Sequence, residues 1–439
     1  MLLKNKTLGS ALIIAGTSIG AGMLAMPLTS AGMGFGFTAA LLFGLWLLLA
    51  YSGLLFVEVY QTAQRKDDGV ATLAEKYFGM PGRIISTVSL FVLLYALSAA
   101  YMTGGGSLLA NVLPADLFGS SDNTLKMSIL AFTVLLGAFV VIGTSGVDGI
   151  TRLLFSGKII IFILVLAMML PRISLENLME KPLDYALILS AAPIFFTSFG
   201  FHVVMGSINS YLDGDVRRFK NAIIIGTSIP LVAYLLWQLA THGILSQREF
   251  VAVLKDNPTL TGLINATKAL TGSLSNVLSI FYSLALITSF LGVALGLFEG
   301  LNDLFKRAKM PANRISLTLA TFIPPLLFAL FYPNGFLAAL GYAGLLCAFY
   351  CLILPIGLAW RTRKQYRNLP YRVAGGNFAL VVALLIGILI IVIPFLIQAG
   401  VLPQVIGKKN KKKKTFKGNT GWYSFHIATN HCWINIFNF

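Results

Sequence analysis

The sequence predicts an all-α polytopic membrane protein of eleven transmembrane helices, ten of them paired as two inverted five-helix repeats. Three observations predict it. Hydrophobic residues make up 57% of the 439 and charged residues only 11%, against roughly 25% charged in soluble domains. Apolar runs of the ~20 residues that cross a bilayer recur along nearly the whole chain. The first and sixth of these runs are interrupted in mid-span by glycine, proline and small polar residues.

The runs fall at about 8–28, 35–60, 84–112, 126–144, 153–170, 185–209, 221–242, 275–298, 315–332, 335–359 and 378–402. Span one follows only Lys4 and Lys6 and lacks a small-residue cleavage site, so it reads as a retained span and not as a signal peptide. Span two closes on Glu58. Span three carries Tyr95, Tyr101 and Gly104-Gly-Gly106, the glycines permitting close helix approach. Lys158 lies just inside span five, Thr288 and Ser289 lie in span eight, and Glu299 closes it. Cys347 and Cys351, one turn apart in span ten, read as small buried hydrophobes. Residues 1–406 form the expected membrane domain, with repeats at about 8–170 and 185–359 and an extra helix at 378–402.

Charge fixes the expected orientation. With the N-terminus cytoplasmic, inside segments carry Lys4, Lys6, Arg65, Lys66, Lys76, Arg83, Arg152, Lys158, Arg217, Arg218, Lys220, Lys306, Arg307, Lys309, Arg314, Arg361, Arg363, Lys364, Arg367 and Arg372. Outside segments carry only Lys126, Arg172, Lys181, Arg248, Lys255 and Lys268. This is a positive-inside bias, and the basic excess reflects topology and lipid in place of a nucleic-acid partner. Residues 407–439 break the pattern: lysines crowd after Gly407, and the stretch through Trp422, His426 and Cys432 loses the Leu/Ala/Gly character of the rest. An electrostatic membrane anchor is one reading; the favoured one is a shifted reading frame after an adenine-rich run. The tail is assigned no function.

The interrupted spans carry the functional argument. Gly16-Thr-Ser-Ile-Gly-Ala-Gly-Met-Leu-Ala-Met-Pro27 places glycines and a proline where a spanning helix should be continuous. Unpaired backbone in hydrocarbon costs several kcal/mol, so a broken helix survives only where it lines a protein cavity. Taken alone, such a segment can equally be a small-residue packing face. The sixth span repeats the feature in Ala191-Ala-Pro-Ile-Phe-Phe-Thr-Ser-Phe-Gly-Phe-His202. Spans one and six are five apart; five is odd, so two five-helix units lie in opposite orientation, and matched breaks in inverted halves point to a transporter's midplane site.

At these residues the chain resembles a known family. GTSIGAGMLAMP in span one, LLFVEVYQ closing span two, YALSAAYMTGGGSLL in span three and FTSFGFH in span six are similar to the aromatic amino acid permeases of bacterial inner membranes. So are SFLGVALGLFEGLNDLFKR at the end of span eight and FYPNGFLAALGYAG between spans nine and ten. The resemblance covers about residues 4–406 and is strongest to members that carry tyrosine. It implies a LeuT-type fold, a multi-pass inner-membrane location and proton-driven import of L-tyrosine; tryptophan, a broader set of aromatic amino acids, or sodium coupling are the alternatives. One departure stands out: Val203-Val-Met-Gly-Ser207 replaces a Gly-Ser-Val-Pro-Ser type turn, which bears on how span six unwinds and on fine specificity.

A zwitterionic substrate needs donors for its carboxylate and acceptors for its ammonium, without a full protein charge that is costly in the membrane. N–H groups near Gly20, Ala21 and Gly22 are candidate donors at a helix N-terminus. Carbonyls near Ala15, Gly16, Thr197 and Ser198 are candidate acceptors. Phe195, Phe196, Phe199 and Phe201 are candidate walls for an aromatic ring, although phenylalanine is common in any membrane helix. Tyr95 and Tyr101 either close the site through their hydroxyls or simply pack.

His202, beside the break, has an ordinary pKa near neutrality; it reads as a proton carrier, a partner of the substrate's phenol, or a structural histidine. Lys158 stands in a span where, by resemblance, a lysine can replace sodium; the alternative is a snorkelling residue. Thr288 and Ser289 offer the hydroxyls that a sodium site would need. Glu58 and Glu299 read preferentially as interfacial carboxylates paired with basic loops, ahead of proton transfer. An enzyme would need a nucleophile–base pair or metal cluster, and a channel a repeated pore-lining sequence; the sequence offers neither, and no metal or cofactor is expected.

Overall fold

Why a chain with so few charges folds into long helices follows from solvent: in hydrocarbon every backbone group must be paired within the segment. In the computed structural model, residues 5–142, 144–256, 260–268 and 272–405 are described, and they belong to one compact unit. The lysine-rich tail, with the frameshift reading attached to it, lies outside the described residues. Among the described residues there are helices and no strands.

Ten helices are long and apolar enough to cross a membrane, and a bent pair makes the eleventh span. Span one is that pair, Lys6–Ser18 and Gly22–Ser30, bent by 52°. The others are Phe35–Tyr60, Val70–Ala110, Ser121–Ile142, Leu153–Arg172, Leu187–Tyr211, Val216–Ile244, Gly272–Arg307, Arg314–Phe331, Phe336–Gln365 and Gly376–Gln398. Each overlaps an apolar run of the sequence. Span three begins fourteen residues before the run (70 against 84) because an amphipathic stretch joins it across a kink at Gly79, with φ 67°, and Pro81. Three short helices, Leu175–Met179, Gln247–Asp256 and Leu260–Lys268, fold in loops that hydropathy leaves blank.

Packing sorts the spans. Spans one and seven pack along their length, as do two and seven, and span six meets spans one and two. Span three packs on four, eight, nine and ten; span eight also packs on four, five and nine. The triple glycine of span three sits against neighbours: a Cβ on Gly104 would lie 3.0 Å from the Phe336 ring, and Gly105 and Gly106 abut Phe132 and Ile129 of span four.

The cytoplasmic ends predicted by charge are tied together. Glu58, fully buried, accepts from Arg363 Nε at 2.7 Å, from Arg363 Nη2 at 2.8 Å and from the Val373 N–H at 3.0 Å. This clasp joins span two to the end of span ten and to the segment that leads into span eleven. Lys6 pairs with Asp213 at 2.6 Å, joining the start of span one to the turn after span six. The hydrogen bond from Lys6 and its charge hold the exposed Asp213 carboxyl below its ordinary range.

Candidate functional site

The break in span one has a clear local cause. Ile19 caps the first half-helix with its N–H on the Ala15 carbonyl at 2.8 Å, and its own ψ of 86° turns the chain away. Pro27 then denies the Met23 carbonyl its usual donor four residues on. Trp237 of span seven supplies one instead, through Nε1 at 3.1 Å. In span six the helix ends at Ser198; Phe199, Gly200 and Phe201 are not helical, and a 3-10 turn, His202–Val204, restarts it as Met205–Tyr211. The Val203-Val-Met-Gly-Ser207 segment thus resumes the helix directly.

The two breaks touch. A Cβ on Gly22 would stand 2.7 Å from Ser198 Oγ and 3.2 Å from Ser198 Cα. The Tyr234 hydroxyl of span seven lies between them, within hydrogen-bond reach of both the Ser18 carbonyl at 2.6 Å and the Ser198 carbonyl at 2.7 Å. Its ring is held edge-on by Phe199, centroids 5.0 Å apart. Tyr101 of span three is buried.

A second junction lies beside this one. The Lys158 ammonium of span five is 2% exposed and donates to the Ile19 carbonyl at 2.8 Å and to Thr288 Oγ1 at 3.4 Å. It also lies 4.4 Å from the centroid of the Phe155 ring, which faces Gly16. Ser289 Oγ accepts from the Ala21 N–H at 2.8 Å. Lys158, Thr288, Ser289 and the span-one break are therefore one constellation. The tally of loop lysines is corrected here: Lys158 does not snorkel to an interface but is buried against span one.

The remaining candidates divide. Phe195, Phe196, Phe199 and Phe201 are all at most 1% exposed at the span-six break. His202 is fully buried between Phe201 and Phe56, ring centroids 4.3 and 5.8 Å away. Among the described residues neither of its ring nitrogens has a hydrogen-bond partner. Ala21 is already engaged by Ser289, whereas Gly20 lies between the half-helices and Gly22 opens the second, so neither N–H belongs to an intrahelical ladder. The Ala15 carbonyl accepts from Ile19, the Thr197 carbonyl from Phe199 and Gly200, and the Ser198 carbonyl from Tyr234; the Ala15 and Ser198 carbonyls each have a second lone pair to offer.

Three residues fall elsewhere. Tyr95 is away from both breaks: its hydroxyl donates to the Ala320 carbonyl at 2.7 Å, and it packs by Leu297, Leu301 and Leu317. Glu58 is sealed in its clasp with Arg363. Glu299 is exposed on the far end of span eight. Cys347 and Cys351 are buried with their sulfurs 3.4 Å apart, Cys347 near the end of the α-helical first part of span ten and Cys351 on the π-helical turn that follows. No group of three or more His, Cys, Asp or Glu side chains suited to a metal occurs among the described residues.

Sequence reasoning missed Tyr234 and Trp237. Both sit mid-span in a helix without a break, three residues apart on one face. A signal was present: Pro27 implies an orphan Met23 carbonyl, and only a donor from another helix can satisfy it in a bilayer.

Apolar spans that carry their backbone breaks to a shared, buried meeting point define a multi-pass membrane permease. The chain belongs to the tryptophan/tyrosine permease family, whose profile matches residues 3–394. It is 70% identical over 408 residues to tyrosine-specific transport system 2 of Haemophilus influenzae, covering 92% of this chain and 100% of that protein. It is 57% identical to tyrosine-specific transport system 1 of the same organism, with the same coverage. A tryptophan-specific transport protein of Haemophilus influenzae is 37% identical over 88% of this chain and 94% of its own length. The family and these relatives are transport proteins, not enzymes.

Proposed function

We propose that this chain is a proton-driven symporter that imports tyrosine across the bacterial inner membrane by alternating access, on a LeuT-type fold. The observation that carries the reading is the junction of the two broken spans, where Gly22 abuts Ser198 and backbone donors and acceptors converge among buried aromatic rings. Glycine N–H groups at the start of a half-helix suit a carboxylate, and the Gly16, Ser18 and Ser198 carbonyls suit an ammonium. The phenylalanines of span six supply apolar walls, and the unpartnered His202 suits the phenol.

The packing pattern supports the inverted repeat. Adding or subtracting five turns the contact of spans three and ten into that of eight and five, three and four into eight and nine, and one and seven into six and two. Each member of these pairs packs in the fold. Tyrosine as substrate is supported by the two relatives named for it. Proton coupling is supported by Lys158, whose ammonium bridges spans one and eight at the hydroxyl a sodium ion would use. The cytoplasmic N-terminus rests on the positive-inside bias.

Counterflow of labelled tyrosine into vesicles containing the purified protein tests transport and substrate together. Trans-stimulated uptake, competed by tyrosine far better than by tryptophan or phenylalanine, is expected. Stronger competition by tryptophan would reassign the substrate, and uptake that neither saturates nor exchanges would overturn the mechanism.

A further inference from the structure

Span seven has no break, yet one of its side chains reaches both broken spans. Tyr234 is fully buried, and its hydroxyl oxygen lies 2.6 Å from the Ser18 carbonyl and 2.7 Å from the Ser198 carbonyl. A phenol has one proton to donate and here faces two acceptors. The two carbonyls end the first half of span one and the first half of span six, so both point out of helix C-termini and carry the negative end of the helix dipole. That pairing suits a cation with several donors better than a neutral hydroxyl with one, because charge-assisted hydrogen bonds are roughly twice as strong.

We propose that the Tyr234 hydroxyl and the substrate's ammonium compete for the Ser18 and Ser198 carbonyls, which makes Tyr234 a positioning residue that cedes this place as substrate binds. The inference rests on the placement of a zwitterionic substrate at the breaks. A group bonded to both carbonyls must occupy the wedge between them, and the phenol oxygen fills that wedge. The hydroxyl can yield without loosening the helices, because Trp237, one turn further along, separately clamps span one through the Met23 carbonyl at 3.1 Å. Phe199 holds the Tyr234 ring edge-on, so the adjustment is a small tilt and not a rotamer change. The phenol thereby keeps the carbonyls paired when no ammonium is present, and an amino acid lacking its ammonium gains nothing by displacing it.

The test compares tyrosine with 3-(4-hydroxyphenyl)propionate, which keeps the phenol and carboxylate and lacks the ammonium. Inhibition of labelled tyrosine counterflow gives the ratio of their affinities in wild type and in Tyr234→Phe. With the competing hydroxyl removed, tyrosine should bind more tightly and the ratio in its favour should rise about three- to tenfold, the worth of one neutral hydrogen bond. A ratio that stays the same, with both affinities lowered together, makes Tyr234 a helix tie only and overturns the proposal. A ratio that falls means that the hydroxyl assists the ammonium, and also overturns it. A wild-type protein that takes both compounds equally well would sink the ammonium placement itself, a different and recognisable failure. If Tyr234→Phe does not insert stably, 3,5-difluorotyrosine at this position keeps the ring and strengthens the donor; the ratio should then fall, and constancy would refute the competition.

Discussion

Gly22→Ala adds one methyl group at the point where the broken spans meet. Its Cβ would stand 2.7 Å from Ser198 Oγ and 3.2 Å from both Ser198 Cα and Cβ. The hydroxyl can rotate away, but the backbone carbon of span six cannot move without disturbing the carbonyl that Tyr234 holds. Overpacking of this kind costs about 1–3 kcal/mol. If transport passes through this closed meeting of the spans, tyrosine uptake per inserted molecule should drop by about five- to a hundredfold, since ~1.4 kcal/mol is a factor of ten. Ser198→Gly removes the Oγ and Cβ that clash, so the double variant should recover a large part of the loss. Gly44→Ala, where nothing stands within 4 Å of the new carbon, is the control and should transport normally. Uptake is measured in vesicles and normalised to the protein in the membrane. Wild-type uptake by Gly22→Ala would refute the geometry. Loss that Ser198→Gly does not relieve would show that Gly22 is required by the substrate and not by span six.

Two further outcomes follow from buried polar groups. Arg363→Met leaves the buried Glu58 carboxylate, among the described residues, with only the Val373 N–H, a loss of about 3–5 kcal/mol for breaking a buried pair; a large fall in thermal stability in detergent is expected, and Glu58→Gln in the same chain should restore most of it. An Arg363→Met protein as stable as wild type would contradict the clasp. His202→Leu should reduce the preference for tyrosine over phenylalanine more than it reduces total aromatic uptake, because a site that hydrogen-bonds a hydroxyl rejects the analogue without it. A preserved ratio with loss of gradient-driven uptake would move His202 to proton transfer.

Much of this architecture is legible in the sequence, for a physical reason. A bilayer demands long uninterrupted apolar helices, so hydropathy alone locates the spans, and any interruption stands out against that demand. Gly20, Gly22, Ser198 and Phe199 announce themselves in this way. Lys158 is half legible: a lone lysine in an apolar run is visible, but whether it snorkels or turns inward depends on the Ile19 carbonyl, which belongs to another span. Tyr95 and Tyr101 look alike in sequence, six residues apart on the same helix, yet one gives its hydroxyl to span nine while the other is buried in the core. Tyr234 is illegible, because its role arises from carbonyls on two other helices, one of them at the start of the chain, and from no pattern in its own.

The most direct test is tyrosine accumulation in proteoliposomes under imposed gradients, with wild type and Lys158→Ala side by side. An inward proton gradient without sodium should drive accumulation above equilibrium in the wild type. Lys158→Ala should lose that accumulation while retaining much of its tyrosine exchange, since the ammonium at Ile19 and Thr288 is proposed to serve coupling and not substrate binding. Accumulation that requires sodium, or a Lys158→Ala protein that still concentrates tyrosine on a proton gradient, would contradict the account.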